Sequence, residues 1–266
     1  MKTLRPYGAR LLVALLLTLA AYNASASSGS DAGTTWTLRV PGFNDLSSVT
    51  YGNGLFVAVG GSHSSSTIYT SPDGLNWTEQ PSPTREWLKS VTYGDSLFVA
   101  VGFSGTILTS RDGMRWTERA SGTSNNLFGV TYGDGLFVAV GNNGTILTSW
   151  DGVSWTKRAS GTSDLLFGVT YGNGTFVAVG LLGTILTSPD GVRWTERTPG
   201  SGLFFDVTYG HGTFVAVGTN GMILTSPDGV RWTERASPTR DWLYGVAYGN
   251  GTFVAVSYFG AILTSP

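Results

Sequence analysis

Apolar and polar residues alternate in short runs along most of the chain, and each run ends at a turn that contains glycine. In one stretch, Leu127–Tyr132 predicts a first strand, and Leu136–Val140 predicts a second strand rich in β-branched and aromatic residues. Thr145–Ser149 and Ser154–Arg158 predict a third and a fourth strand. The intervening turns contain Asp-Gly or Asn-Gly, which tolerate positive φ. The pattern therefore predicts four short antiparallel strands, named a to d, without helical periodicity.

This four-strand pattern recurs six times. A Tyr-Gly pair occurs at positions 51, 93, 132, 171, 209 and 248, so successive copies lie 38 to 42 residues apart. A Trp-Thr pair recurs with nearly the same spacing. A four-stranded unit at this spacing is typical of one β-propeller blade. The sequence therefore predicts an all-β fold, a six-bladed β-propeller over residues 27–266, with repeats that start near 46, 88, 127, 166, 204 and 243.

The two ends of the repeat region are complementary. The sixth copy stops at Pro266, before the turn and the strand d that the other copies contain. The missing pieces, an Asp-Ala-Gly turn and then Trp36-Thr37, precede the first copy. We therefore predict that residues 31–40 form strand d of the last blade and close the ring, which covers two strand edges. The alternative is a truncated repeat that follows an unrelated segment.

The turn between strands c and d has a recurrent sequence. Ser-Pro-Asp-Gly-x-x-Trp occurs at residues 71–77, 188–194 and 226–232, with close variants at 110–116 and 149–155. It resembles the Asp-box, or BNR-like, repeat of the propellers in sialidases, sortilin-type receptors, xyloglucanases and photosystem assembly factors. Here Asp and Gly are adjacent, whereas the usual box has one residue between them. The resemblance implies propeller blades rather than a function, because the Asp can cap the turn and the Trp can cover apolar surface.

The N-terminus has the composition of an export signal. Lys2, Arg5 and Arg10 precede an apolar run at residues 11–21, and Ala24-Ser25-Ala26 follows as a small-residue cleavage site. The apolar run is shorter than a typical membrane span. We therefore predict a signal peptide over residues 1–26, a secreted or periplasmic location, and no membrane insertion after cleavage. The alternative is an uncleaved membrane anchor.

Charge and cysteine content narrow the possible partners. The chain has 266 residues, a formal net charge of −1 and no Cys, and removal of the signal makes it more acidic. This charge gives no support for nucleic-acid binding. Thiol chemistry is excluded, and the two histidines, His63 and His211, fall in turns of different blades. We predict no cofactor and no metal, and we expect a monomer.

Catalytic chemistry has little support in this sequence. The arginines after the Trp-Thr pairs are periodic, which indicates a solvated rim rather than the convergent cluster of a sialidase. Catalytic residues of that family therefore cannot be transferred. Five acids interrupt the repeat pattern and leave a glycosidase-type carboxylate pair open: Asp45, Glu86, Asp164, Asp206 and Asp241. A secreted Asp-box-type glycoside hydrolase is therefore one alternative function.

The six copies differ mainly in their b–c turns and d–a connections, which emerge on one face of an up-and-down blade. Residues 82–87 and 237–242 share the plan Ser-Pro-Thr-Arg-acid-Trp. Clustered apolar residues at turns usually mark a binding surface. The predicted ligand-binding residues are Trp87, Trp242, Arg85, Arg240, Glu86, Asp241, Phe43, Asp45, Phe103, Tyr258 and Phe259. The alternative is that the aromatics cap the blades and Arg–acid pairs order the loops.

These observations predict an exported recognition protein without catalytic activity. Aromatic rings stack on sugar faces, and Asn and Asp at loop tips pair with hydroxyls, which favours carbohydrate as the ligand. A protein partner is the other expected ligand. A periplasmic assembly or scaffold factor is a further alternative.

Overall fold

Six antiparallel sheets form the blades of a β-propeller, which confirms the predicted fold class. The structure, a computed structural model, describes residues 17–18, 45–62, 64–197 and 201–266. The innermost strands of successive blades contact one another and line a central channel of about 500 Å³. No helix in the described part of the chain is long and apolar enough to cross a membrane.

Strands run from the channel outward in the order a, b, c, d. Blade one comprises β2 (Asp45–Gly52), β3 (Leu55–Ser62), β4 (Ser65–Ser71) and β5 (Thr78–Gln80). Blade two comprises β6 (Leu88–Gly94), β7 (Leu97–Gly102), β8 (Ile107–Ser110) and β9 (Thr117–Arg119). Blade three comprises β10 (Leu127–Gly133), β11 (Leu136–Gly141), β12 (Ile146–Ser149) and β13 (Thr156–Arg158). A two-residue strand, β1 (Leu17–Thr18), pairs in parallel with β2.

The other three blades repeat this arrangement. Blade four comprises β14 (Leu166–Gly172), β15 (Thr175–Gly180), β16 (Ile185–Ser188) and β17 (Thr195–Arg197). Blade five comprises β18 (Phe204–Gly210), β19 (Thr213–Gly218), β20 (Ile223–Ser226) and β21 (Thr233–Arg235). Blade six comprises β22 (Leu243–Gly249), β23 (Thr252–Ser257) and β24 (Ile262–Ser265). Three b–c turns are single 3-10 turns: Phe103–Gly105, Leu181–Gly183 and Thr219–Gly221.

Some predicted parts lie outside the described residues. The fourth strand expected for blade six, residues 31–40, is one of them, and so are Phe43 and His63. The same holds for residues 1–26 of the predicted signal peptide, apart from the two residues of β1. In blade three, strand c begins one residue later than predicted, because the Thr145 N–H donates to the Asn142 carbonyl and so belongs to the turn.

The recurrent Tyr-Gly pair has a packing reason. A Cβ added to Gly94 would lie 2.1 Å from Cγ of Tyr132, the tyrosine of the next blade. The same approach joins Gly133 to Tyr171. Only glycine permits a ring to lie this close to the neighbouring backbone. The pair therefore sets the close approach of adjacent blades.

The core lies between adjacent blades rather than within a single sheet. Val99 and Ile107 of blade two are fully buried against Phe137 of blade three, and Trp155 of blade three packs on this cluster. Each buried side chain of this kind contributes about 2 kcal/mol. Four of the five described clusters contain a Trp from the c–d turn of the following blade, which explains why the Trp recurs.

The Asp of the c–d turn caps its own hairpin. Oδ1 of Asp112 accepts the backbone N–H of Met114 at 2.9 Å and that of Arg115 at 2.8 Å. These bonds lower the Asp112 pKa to about 2. Nε1 of Trp116 donates to the Gly113 carbonyl at 2.8 Å. The turn sequence is therefore explained by its own hydrogen bonds, without a catalytic role.

Candidate binding site

Strand a of every blade carries a β-bulge near its start, at the residue that follows the first Leu or Phe of the strand. In blade three, Leu127 pairs with Gly141 and Gly129 pairs with Val140, so Phe128 has no partner in the register. Bulges redirect side chains and are frequent next to functional sites. The six bulge residues line one end of the channel and form what we call the bulge ring: Ser47, Lys89, Phe128, Phe167, Phe205 and Tyr244.

Four of the six bulge residues are aromatic and contact one another around the channel mouth. The ring centroids of Phe128 and Phe167 are 5.3 Å apart, and those of Phe167 and Phe205 are 6.0 Å apart. Phe205 and Tyr244 stack with centroids 4.3 Å apart. Aromatic pairs at these separations are mutually stabilising. Blades three to six therefore present a continuous aromatic wall.

Loop aromatics extend this wall at both ends. At one end, Phe103 lies 6.3 Å from Phe128, and Trp87 lies 5.5 Å from Phe103. At the other end, Trp242, Tyr258 and Phe259 follow, with Trp242 6.0 Å from Phe205, Tyr258 5.8 Å from Tyr244, and Phe259 5.1 Å from Tyr258. We call the whole series the aromatic belt: Trp87, Phe103, Phe128, Phe167, Phe205, Trp242, Tyr244, Tyr258 and Phe259.

The belt is accessible at its Trp242 end and anchored at its Trp87 end. Trp242 is 46% exposed and Phe259 is 77% exposed. Nε1 of Trp87 donates to Oγ of Ser47 at 2.9 Å, and Nζ of Lys89 lies 4.1 Å from the centroid of the Trp87 ring. Trp87 is therefore held by blades one and two, whereas Trp242 and Phe259 present free apolar surface.

The belt is interrupted at blades one and two. Ser47 and Lys89 occupy the bulge positions there instead of aromatic residues. Burial lowers the Lys89 pKa to about 8, and the nearby Asp45 carboxylate partly offsets this shift. The mouth therefore has an aromatic side and a smaller polar side with one cation.

The residue after the bulge ties neighbouring blades together. Oγ of Ser90 accepts the Val130 N–H at 3.2 Å, and Oγ of Ser48 accepts the Val91 N–H at the same distance. At the boundary of blades five and six, Oδ2 of Asp206 accepts the Val246 N–H at 2.9 Å. Burial raises the Asp206 pKa to about 7, although its backbone hydrogen bonds act in the opposite direction. The Asp206 carboxyl group therefore links blade five to blade six.

The two predicted Trp loops share their backbone framework with other d–a connections. Oγ1 of Thr84 accepts the Glu86 N–H at 3.1 Å, and Oγ1 of Thr239 accepts the Asp241 N–H at 3.0 Å. Thr162 makes the same contact with the N–H of Asp164. Pro, Arg and Trp, rather than the Ser-x-Thr framework, therefore distinguish these two loops.

The charged residues of these loops do not pair with each other. Arg85 and Arg240 are exposed, and neither forms an ion pair with an acid in the described ranges. Oε2 of Glu86 instead accepts a hydrogen bond from Oγ of Ser104 at 3.0 Å. The alternative in which Arg–acid pairs order the loops is therefore wrong.

Sequence reasoning found the loop part of the belt and missed the strand part. The structure brings together the predicted Trp87, Phe103, Trp242, Tyr258 and Phe259. The four aromatic bulge residues were not predicted. Their signal was that this position varies among copies, from Ser to Lys to aromatic, although Leu or Phe always precedes it and Val always lies two residues after it.

Of the five acids considered for catalysis, Asp164 also has a partner within the protein. Its Oδ2 accepts a hydrogen bond from Oγ1 of Thr184 at 2.6 Å. Residues 45–62, 64–197 and 201–266 contain no group of three or more side chains suited to hold a metal ion. The described residues that line the channel include the aromatic rings, one cation, Lys89, and one acid, Asp206.

Solved structures support the propeller fold. YCF48 from Cyanidioschyzon merolae is 18% identical and aligns over 88% of this chain and 86% of that one, with a TM-score of 0.67. YCF48 bound to D1 peptide is 16% identical over 83% and 77%, with a TM-score of 0.66. A catalytically inactive virginiamycin B lyase from Staphylococcus aureus with quinupristin is 14% identical over 84% of each chain, with a TM-score of 0.73.

Likeness at these identities shows the fold alone. This likeness supports a propeller repeat family, but it does not show that the repeat is of the Asp-box type. No family model matches the chain, and no curated protein matches it. Any function must therefore be argued from the site.

Proposed function

We propose that this chain is an exported recognition propeller that binds a segment of another protein at the channel mouth. The observation that carries the proposal is the aromatic belt, nine rings that contact one another on the face of the variable loops. Exposed contiguous apolar surface usually marks an interaction site. Aromatic residues are also enriched among the residues that dominate binding energy.

The polar groups of the mouth favour a protein segment over carbohydrate. A sugar site needs polar side chains placed to bond hydroxyls. Here the oxygens of Ser47, Ser48 and Ser90 each accept a hydrogen bond from within the protein, which leaves these hydroxyls less capacity for a sugar. Aliphatic and aromatic side chains of a peptide need only the apolar belt. A ligand of the same kind occurs with one similar propeller, YCF48 bound to D1 peptide.

The belt can be tested with phenylnaphthylamine, an uncharged aromatic dye that fluoresces in apolar sites. We expect the parent to bind it and a Phe167→Ala/Phe205→Ala variant to bind it at least tenfold more weakly, because the centre of the wall is lost. Fluorescence titration measures both affinities. Circular dichroism checks that the variant keeps its fold, since both side chains are only partly buried.

Trp150 provides the matched control. It is 63% exposed and lies in the c–d turn, near the a–b turn of its own blade. Trp150→Ala removes a comparable exposed aromatic from outside the belt and should leave dye binding unchanged. Equal affinity of the parent and the Phe167/Phe205 variant, or loss of binding in Trp150→Ala alone, would show that the belt is not the site.

A further inference from the structure

The single cation of the channel lies where the aromatic belt is interrupted. Lys89 is the bulge residue of blade two, and it is the one Lys or Arg among the described residues that line the channel. Phe128 follows it in the bulge ring on one side, and Ser47 precedes it on the other. The mouth is therefore polarised, with apolar rings over blades three to six and an ammonium group at blade two.

Lys89 is held in place without an acid partner. Its Nζ lies 4.1 Å from the centroid of the Trp87 ring, and it forms no ion pair in the described part of the chain. Asp45 influences it electrostatically from blade one. An ammonium group has three donors, and removing it from water without an anion in direct contact is costly. A bound anion would recover part of that cost.

We infer that Lys89 is a subsite for a carboxylate of the ligand, an acidic side chain that lies next to apolar side chains on the belt. This inference rests on the proposed function, because the belt must hold the apolar part. The cation sets the direction of the bound segment, with apolar groups over blades three to six and the acid over blade two. A single ammonium group matches the one negative charge of a carboxylate, whereas a phosphate monoester carries about −1.5 to −2 at neutral pH.

The test compares two dyes that share a ring system and differ in charge, anilinonaphthalene sulfonate and phenylnaphthylamine. We expect Lys89→Gln to weaken binding of the sulfonate about tenfold and to leave the uncharged dye within about twofold of the parent. Lys157→Gln removes an exposed cation from outer strand d and should change neither affinity. The two dyes separate the subsite from the belt.

The possible results are distinct. If Lys89→Gln binds the sulfonate as tightly as the parent does, or loses affinity for both dyes equally, the proposed subsite is wrong. Binding of the uncharged dye to the parent then remains the test of the belt. If the parent binds neither dye, the subsite and the proposed function are both wrong.

Peptides then test the kind of ligand. Two end-blocked peptides, Leu-Phe-Ser-Glu and Leu-Phe-Ser-Gln, differ in one charge. We expect the parent to bind the Glu peptide more tightly than the Gln peptide, and Lys89→Gln to bind the two peptides equally. Phenyl glucuronide and phenyl glucoside form the matched sugar pair. A Lys89-dependent preference for the glucuronide, with no preference between the peptides, would overturn the assignment to a protein segment.

Discussion

At the residue scale, Leu182 occupies a position that suits Asn or Gly better. Its φ is 56°, and the equivalent residues of other b–c turns are Ser104, Asn143 and Asn220, with φ of 55°, 53° and 55°. Left-handed backbone costs an L-residue about 1 kcal/mol, and Asn tolerates it better. Leu182 is also 71% exposed, so its side chain gains little from burial. Such strain is often retained near functional surfaces.

We therefore expect Leu182→Asn to raise the free energy of unfolding by about 1 kcal/mol. Urea denaturation followed by tryptophan fluorescence measures the change. Leu181→Asn, one residue earlier and without positive φ, serves as control and should not stabilise the protein. A Leu182→Asn variant that unfolds at the same or a lower urea concentration than the parent would contradict the backbone explanation.

Asp206 shows how one residue can link stability to pH. Burial raises its folded-state pKa to about 7, so the folded chain holds this proton more tightly than the unfolded chain does. Stability from this residue is therefore complete below about pH 4 and is lost as the pH rises to about 7. Ser48 and Ser90 make the same inter-blade contact without a charge.

We expect Asp206→Ser to be more stable than the parent at pH 8, by about 3 °C or more in Tm, with the difference disappearing toward pH 4. Thermal melts across this range provide the measurement. Asp151→Ser is the control of opposite sign, because hydrogen bonds lower the Asp151 pKa to about 2 and its carboxylate stabilises the turn at neutral pH. If the Tm difference between the parent and Asp206→Ser is the same at every pH, Asp206 is not the titrating group.

At the element scale, the blade was predictable because its signals are local. The Asp134-Gly135 turn, with φ of 49° and 77°, joins strands whose alternation is plain in the sequence. The bulge was not predictable, because Leu127-Phe128-Gly129-Val130 appears as one continuous strand and only its pairing with the next strand displaces Phe128. A register shift of one residue is a property of two strands together.

In the candidate site too, the residues with a local sequence signal were predicted and the others were not. Trp242 and Phe259 were found because large apolar residues are unusual at turns. Phe167 and Phe205 were missed because aromatic residues are ordinary in strands. The hydrogen bond that anchors Trp87 to Ser47 joins residues 40 positions apart, and no local pattern indicates it. Sequence therefore located the face of the site but not the strand residues that complete it.

At the scale of the whole molecule, a groove remains between blades five and six. Trp155, Trp194 and Trp232 each pack on buried residues of the preceding blade. The equivalent surface of blade five instead borders a cavity of about 590 Å³. Its lining includes Val215, Val217, Ile223, Phe253 and Ile262. The groove has the position and apolar character of a site that receives a Trp.

Trp36 is the Trp of the repeat that has no described position, and it precedes a Thr as the other turn tryptophans do. We predict that residues 31–40 complete blade six with Trp36 in this groove. Trp36→Ala should then destabilise the protein by about 3 kcal/mol or more, as Trp155→Ala should at a filled site, because each leaves a cavity between blades. Urea denaturation of both variants, with the exposed Trp150→Ala as control, makes the comparison. If Trp36→Ala unfolds at the same urea concentration as the parent and only Trp155→Ala is destabilised, residues 31–40 do not close the ring.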